Sequence, residues 1–555
     1  VLEALAVIVR PADERLVAAV LGRPEEDIAS AIRDGLDAHL LRIDERGRTR
    51  FHHALVREVV EARLLPGERR RLHERVAIAL TTDPGLAGDG AGGVAAELAR
   101  HWTAAGRRSE AYQASLEAGS AALAVYAYAD AVEHFERALS LADELPPDDR
   151  PSPDALRQLL RRTADANDSA GDVTRALELA RRELALVDES VEPALAGALH
   201  ARVGYFLWAT GDSEAGLAEH RRALELVPAS PPSAARARVL GSYGGALSGE
   251  SRWAESRAVC EEAVACAVAA GARAEESRAR NMLGCDLVAL GEIEAGIEQL
   301  REARRIAAET GPPELLIVAQ LNLALFLLAD DRLEDALAEA ETCRAAARRL
   351  GLHRRYGQDL AALHGDILVR LGRWEEADAV TLEGLRLDPD DVGSAFLAVV
   401  RGRLQARRGE LAEAVRRLAS IDLAAIQPDT AQFAAASRAE AALLDGRPDD
   451  AARHAADGLA LLGDADDVLW AAPLLAFAQR AHAEQAEIAR ARRDSAGLAA
   501  VAERVAAVEA RTAAMAERVA TAAARACTSA PPASASSATL GVAGAEPART
   551  LLNTA

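Results

Sequence analysis

The chain has 555 residues and a formal charge of −21; half its residues are apolar but only 3% are aromatic. That length exceeds one small core and suits several domains or a repeat array, and an alanine-rich, aromatic-poor composition suits closely packed helices better than sheets. All 65 basic residues are arginines, which excludes a P-loop, whose lysine binds phosphate, and the acidic balance argues against extended nucleic-acid binding.

The first elements read as helices and a hairpin. "DIASAIRDGLDAHLLRI" from Asp27 predicts a helix capped by Asp27, with Ile28, Ile32, Leu36 and Leu40 on one face. "LLRIDERGRTRFHH" then reads as strand, turn at Gly47 and strand. A helix from Ala54 is broken by "LPGE", and a third places Leu72, Val76 and Leu80 together. This order predicts a winged-helix-like domain over 1–80. In a regular strand from Thr49 to His53, Phe51 and His53 share the inward face and His52 points to solvent. The two imidazoles then diverge, which disfavours joint metal binding, and no cysteine or carboxylate cluster at ligand spacing adds a metal site. A capped histidine at a buried helix start is the alternative role for His53.

Residues 81–145 read as a helical linker and a first irregular repeat, "YAYADAVEHFERAL", whose turn lies at Tyr126. From there to about 465 a turn recurs at Gly171, Gly211, Ser251, Gly291, Asp331, Gly372, Gly409 and Gly446, at spacings of 40, 40, 40, 40, 41, 37 and 37. Small residues keep the same beat. Seven before each turn stand Ala164, Gly204, Gly244, Gly284, Ala324, Gly365, Gly402 and Ala439. Five after stand Ala176, Gly216, Ser256, Gly296, Ala336, Ala377, Ala414 and Ala451. A third small position, twelve after the turn, fails at Glu183 and Ile421. Paired helices approach closely only where side chains are small, and the turn between them favours glycine or a polar residue.

The pattern resembles the tetratricopeptide repeat, best in "LGRWEEADAVTLEGLRLDP"; an unrelated helical-pair solenoid is the alternative. The expected fold is therefore all-α: a winged-helix-like domain, then an α-solenoid of about nine helix pairs over 146–465. Stacked repeats of this kind present a concave face that binds peptides, proteins or small effectors. Candidate lining residues are Arg278, Asn281 and Cys285 in one unit, Asp359 and Asp366 in another, and Tyr205 and Trp208 in an earlier one. Each has a plain alternative as part of a solvated helix face.

A second resemblance rests on "RFHHALVREVVEARLLPGERRRLHERVAIAL" and on "AELARHWTAAGRRSEAYQASLEAGSAALAVYAYADAVEHFERAL". Both are similar to the segments that follow the ATPase module in LuxR-type, MalT-like regulators, which belong to the signal-transducing ATPases with numerous domains. The resemblance implies ATPase module, winged helix, helical sensor repeats and a C-terminal DNA-binding helix-turn-helix, in that order. It implies that His53 reaches the nucleotide phosphate, supported by Arg57, in a resting ADP-bound form. This chain carries neither a P-loop nor the C-terminal helix-turn-helix. It continues instead into Ala-rich helices over 466–526 and a Ser/Ala/Pro-rich tail over 527–555 that reads as disordered.

No catalytic set emerges. "GSYGG" sits on a repeat helix, "DPDDVG" lacks the calcium-loop spacing, and "LHERVA" lacks a second histidine. The five cysteines form no CxxC pair and suit reduced thiols. The most apolar stretch, Leu315 to Ala329, is interrupted by Gln320 and Asn322 and is too short to span a bilayer. With "VLEALAVIVR" at its start, the chain reads as a cytoplasmic fragment without cofactor, metal or direct DNA contact. Its expected partners are an effector or protein on the repeat face and an ATPase module upstream. A stand-alone repeat scaffold is the other reading.

Overall fold

The structure, a computed structural model, describes residues 1–87, 93–310, 313–387, 395–424, 426, 428–462 and 468–529. Most of the expected tail, 530–555, and the "DPDDVG" string from Asp388 lie outside the described residues. Within them the chain forms twenty-six α-helices and one two-stranded sheet. It divides into two compact units, Val1–Asp212 and Ser213–Ala555.

Unit 1 opens with α1 (Leu2–Ile8), α2 (Glu14–Leu21), α3 (Glu25–Asp37), β1 (Leu41–Ile43), β2 (Thr49–Phe51), α4 (Ala54–Ala62) and α5 (Pro66–Thr82). The strands pair antiparallel, with Leu41 opposite Phe51, Arg42 opposite Arg50 and Ile43 opposite Thr49. The turn is set by Asp44, whose carboxylate accepts from the backbone N–H of Arg46 and Arg48, and by Gly47 at φ 77°. Ala12 bridges Thr49 from the other side, exchanging two backbone hydrogen bonds of 2.8 and 2.9 Å. Leu5, Ile8, Leu16, Ile28, Leu41, Leu72, Val76 and Leu80 share one core. Leu72, Val76 and Leu80 therefore form the expected stripe. Asp27 is not a cap: α3 begins two residues earlier, after Pro24, and Asp27 lies in its first turn.

Helical pairs follow in unit 1: α6 (Gly93–Ala105), α7 (Arg108–Ala124), α8 (Tyr128–Glu144), α9 (Pro153–Ser169), α10 (Val173–Leu184) and α11 (Pro193–Ala209). Unit 2 contains α12 (Ser213–Leu226), α13 (Ala234–Gly249), α14 (Trp253–Ala269), α15 (Arg273–Ala289), α16 (Ile293–Thr310), α17 (Pro313–Ala329) and α18 (Leu333–Arg349). It continues with α19 (His353–Arg370), α20 (Trp374–Leu385), α21 (Ala395–Arg407), α22 (Leu411–Ala419), α23 (Pro428–Leu444) and α24 (Pro448–Leu462). The Ala-rich stretch forms α25 (Val468–Arg492) and α26 (Ser495–Ser529), packed as one further pair.

Every repeat turn named from the sequence adopts the left-handed conformation, including the non-glycines Tyr126, Ser251 and Asp331 at φ 56 to 58°. The N–H that follows each closes a six-to-one bond onto the preceding helix, as in Asp172 to Asn167, Glu292 to Leu287, Arg332 to Leu327 and Arg447 to Ala442, at 2.8 to 2.9 Å. This is the Schellman arrangement, which satisfies helix-end carbonyls and reverses the chain. The helix pairs it joins are tetratricopeptide-like.

The small positions lie where paired helices touch. A Cβ on Gly284 would sit 2.9 Å from the Gly296 carbonyl oxygen, and one on Gly296 would sit 2.6 Å from that of Gly284. Glu183, the exception at the third position, is fully buried and accepts two hydrogen bonds from Arg161, at 2.7 and 3.0 Å.

Gly296→Ala forces backbone apart and should destabilise unit 2 by about 1–3 kcal/mol in urea unfolding. Gly241→Ala, on α13 with open space around the added methyl, should instead stabilise by roughly 0.5–1 kcal/mol.

Candidate functional site: the inner helix face of the second unit

In unit 2 the first helices of successive pairs, α13, α15, α17, α19, α21, α23 and α25, pack against one another in sequence, whereas the second helices make no comparable contact along their own row. A row that is closer on one side curves, so the first helices line the inner face. The curvature brings α25 back to touch α15.

Two ladders of side chains run across this face at the 37-residue spacing of the last repeats. Phe396, Phe433 and Trp470 occupy one position on α21, α23 and α25, with ring centroids 5.6 and 6.5 Å apart. Asp366, Arg403 and Glu440 occupy another, on α19, α21 and α23. Arg403 is 8% exposed, bonds Asp366 on one side, donates to Glu440 at 3.1 Å on the other, and lies 5.1 Å from the Phe433 ring centroid. Arg407 adds a second donor to Glu440 at 2.6 Å, and Arg370 reaches Asp366 at 3.6 Å and the Leu328 carbonyl at 3.3 Å. Burial opposes the charge on Arg403, but Asp366 and then Glu440 outweigh it and hold the guanidinium more firmly protonated than usual. Burial likewise opposes ionisation of Glu440, and Arg403 and Arg407 reverse it, so its pKa falls.

The sequence candidates fall out unevenly. Asp366 is 2% exposed and belongs to this ion network. Asn281 is 9% exposed and accepts from Asn322 of the next repeat at 3.3 Å. Cys285 is partly exposed on the same face, with its thiol pKa raised by burial and then by Asp286. Arg278 and Asp359 are exposed, and Arg278 lies 3.5 Å from Glu275. Tyr205 and Trp208 do cluster, at 6.3 Å between centroids, but on α11 of unit 1.

Sequence reasoning missed the aromatic ladder and the Arg403–Glu440 half of the ion network, although the repeat spacing contains both. It also missed a buried cluster behind Cys285. Asp286 is fully buried and accepts from Ser248 and, at 2.6 Å, from Ser256. Burial raises the Asp286 pKa to about 6, partly offset by the Ser248, Ser256 and Cys260 hydrogen bonds.

In unit 1 the expected separation of the histidines fails. β2 ends at Phe51, so strand alternation does not reach His52 or His53. Both are exposed, their ring centroids are 4.4 Å apart, and His53 precedes α4 without capping it by its side chain. Arg57 donates to Glu61 at 2.8 Å. A different pair is buried. His73 Nδ1 and His101 Nδ1 are 2.9 Å apart, and Arg100 donates to His101 Nε2 at 2.8 Å. An arginine always donates, so His101 carries its proton on Nδ1 and gives it to His73. Burial, then Arg100, lowers the pKa of His101 to about 2 and that of His73 to about 4. Among the described residues no group of three or more His, Cys, Asp or Glu is placed to hold a metal, and no helix is long and apolar enough to cross a membrane.

No family model and no curated protein matches the chain. Several solved structures are similar to it. A signal-transduction ATPase with numerous domains and a tetratricopeptide-repeat sensor, from Pyrococcus horikoshii, is 14% identical over 74% of this chain and 60% of its own, at a TM-score of 0.35. Aspartyl phosphate phosphatase F from Bacillus subtilis is 12% identical over 63% and 94%, at 0.41. The Pseudomonas aeruginosa protein PilF is 18% identical over 44% and 96%, at 0.30.

Arg403→Met leaves Asp366 and Glu440 buried with their main partner gone, and should cost about 3–5 kcal/mol in denaturant unfolding. For Asp286 the folded state holds its proton above the unfolded pKa near 4. Its contribution is greatest below pH 4 and falls as pH rises to about 6, by on the order of 2–3 kcal/mol. The stability difference between Asp286→Asn and the parent chain, measured from pH 4 to 7.5, should therefore shift in favour of the variant across that window and stay level above it.

Proposed function

We propose that this chain is the sensor and relay portion of a LuxR-type ATPase regulator. An effector or protein partner binds the inner face of the repeats. The N-terminal elements, read as a winged helix, pass the change to a nucleotide-binding module upstream. The order α1, Ala12 bridge, α2, α3 and hairpin supports the winged-helix reading, because it places a third short strand position beside Thr49.

The observation that carries the relay is α4. It is amphipathic yet buries no residue within unit 1, and Leu55 and Val59 are 73% and 60% exposed. A helix normally covers its apolar stripe, and exposed apolar surface beside polar groups marks contact sites. The exposed His52–His53 pair stands at the start of the same helix, where imidazoles can donate to a phosphate. The chain itself contributes binding and relay rather than chemistry.

The DNA preceding the Val1 codon tests the reading, which requires an in-frame GxxxxGK[ST] segment. If that segment is absent, the stand-alone scaffold reading replaces it. Where it is present, His53→Ala in the whole polypeptide should speed release of fluorescent ADP about tenfold, equivalent to roughly 1.4 kcal/mol. Unchanged release would remove His53 from the nucleotide site.

A further inference from the structure

The hairpin of unit 1 carries an unusual pairing. Arg42 on β1 stands directly opposite Arg50 on β2, and both are exposed. Like charges directly across an antiparallel pair repel. On the same hairpin Arg48 meets the Asp44 carboxylate at 3.1 Å. Arg42 and Arg50 have no ion-pair partner among the described residues. Two like charges thus stand in register without an ion-pair partner among the described residues, in a protein whose overall charge is −21.

Apolar surface is exposed on the helix that follows this pair: Leu55 and Val59 of α4 are 73% and 60% exposed. The chain leaves β2 and enters α4 after two residues, so Leu55 and Val59 follow the arginine pair closely at the same end of the unit. Arginine beside exposed aliphatic side chains is the composition of a protein-binding surface. A nucleic-acid backbone would satisfy the two guanidiniums but leave Leu55 and Val59 in water.

We propose that the hairpin and α4 form one docking surface for an acidic, amphipathic protein face, with Arg42 and Arg50 as its cationic contacts and Leu55 and Val59 as its apolar ones. This rests on reading the N-terminal end as the relay surface and assigns the chemistry of the face it meets. The register sets the two arginines opposite each other, each guanidinium can donate two hydrogen bonds to a carboxylate, and a bound carboxylate row offsets their like charge.

The test uses the full chain and three fluorescent probes. One is an eighteen-residue amphipathic helix with leucines on one face and glutamates along its edge; the second replaces those glutamates by lysines; the third is a twenty-base-pair DNA duplex. The acidic peptide should bind the parent chain and weaken at least tenfold with Arg42→Glu/Arg50→Glu and with Leu55→Ser/Val59→Ser. The lysine peptide should prefer the charge-reversed variant. Arg42→Gln/Arg50→Gln, which removes both charges without reversing them, should have a thermal midpoint equal to or above the parent and should also lose the acidic peptide. Absence of acidic-peptide binding, equal binding by parent and charge-reversed chains, tighter binding of the duplex than of the peptide, or a lowered midpoint in the glutamine variant would each overturn the proposal. The ADP-release measurement on His53 is read separately, so a failure of the relay reading is distinguishable from a failure of this surface.

Discussion

Close approach of two helices is the constraint on which the repeats depend. At α15 and α16 the backbones are so near that a single methyl on Gly284 or Gly296 would meet a carbonyl oxygen. Such contact is possible only if the chain reverses within a few residues, which is why each turn enters the left-handed region and closes onto the helix before it. Tyr126, Ser251 and Asp331 accept a backbone cost there that glycine would avoid. Their presence shows that the turn is dictated by packing on either side and not by the turn residue alone.

Once each pair is tight, the pairs must stack, and the first helices do so most closely. Their inner face therefore becomes crowded enough to bury ions. Asp366, Arg403, Glu440 and Arg407 answer one another from repeat to repeat, so this stretch of the face is cohesive and largely self-satisfied. The α15 and α17 stretch is different, with partly exposed Cys285, Leu321 and Leu325 beside the Asn281–Asn322 hydrogen bond. The ionic framework is confined to the α19, α21 and α23 stretch.

Unit 1 shows the reverse economy. Its interior is well sealed, with aliphatic packing and a histidine pair whose tautomers are dictated by Arg100. The hairpin and α4 are left with repelling arginines and uncovered leucine and valine. Internal order beside such an unresolved surface is the physical basis for assigning docking to this end.

Periodicity made the repeats legible in the sequence, because helix-on-helix contact demands small residues at regular offsets and one turn conformation, and the order of residues records both. The core stripe Leu72, Val76 and Leu80 was legible for the same reason. The histidines were not, since extending β2 through His53 assumed an alternation that ends at Phe51. Nor was the fate of Asp366, which sequence offers as a groove carboxylate and folding commits to Arg403. Sequence by itself determined where the repeat helices turn and pair, which are local matters of side-chain volume and backbone conformation. Only the tertiary structure decided which charges neutralise one another and which are left facing solvent, because that depends on the curvature that brings residues 37 apart into contact and on the register that sets Arg42 against Arg50.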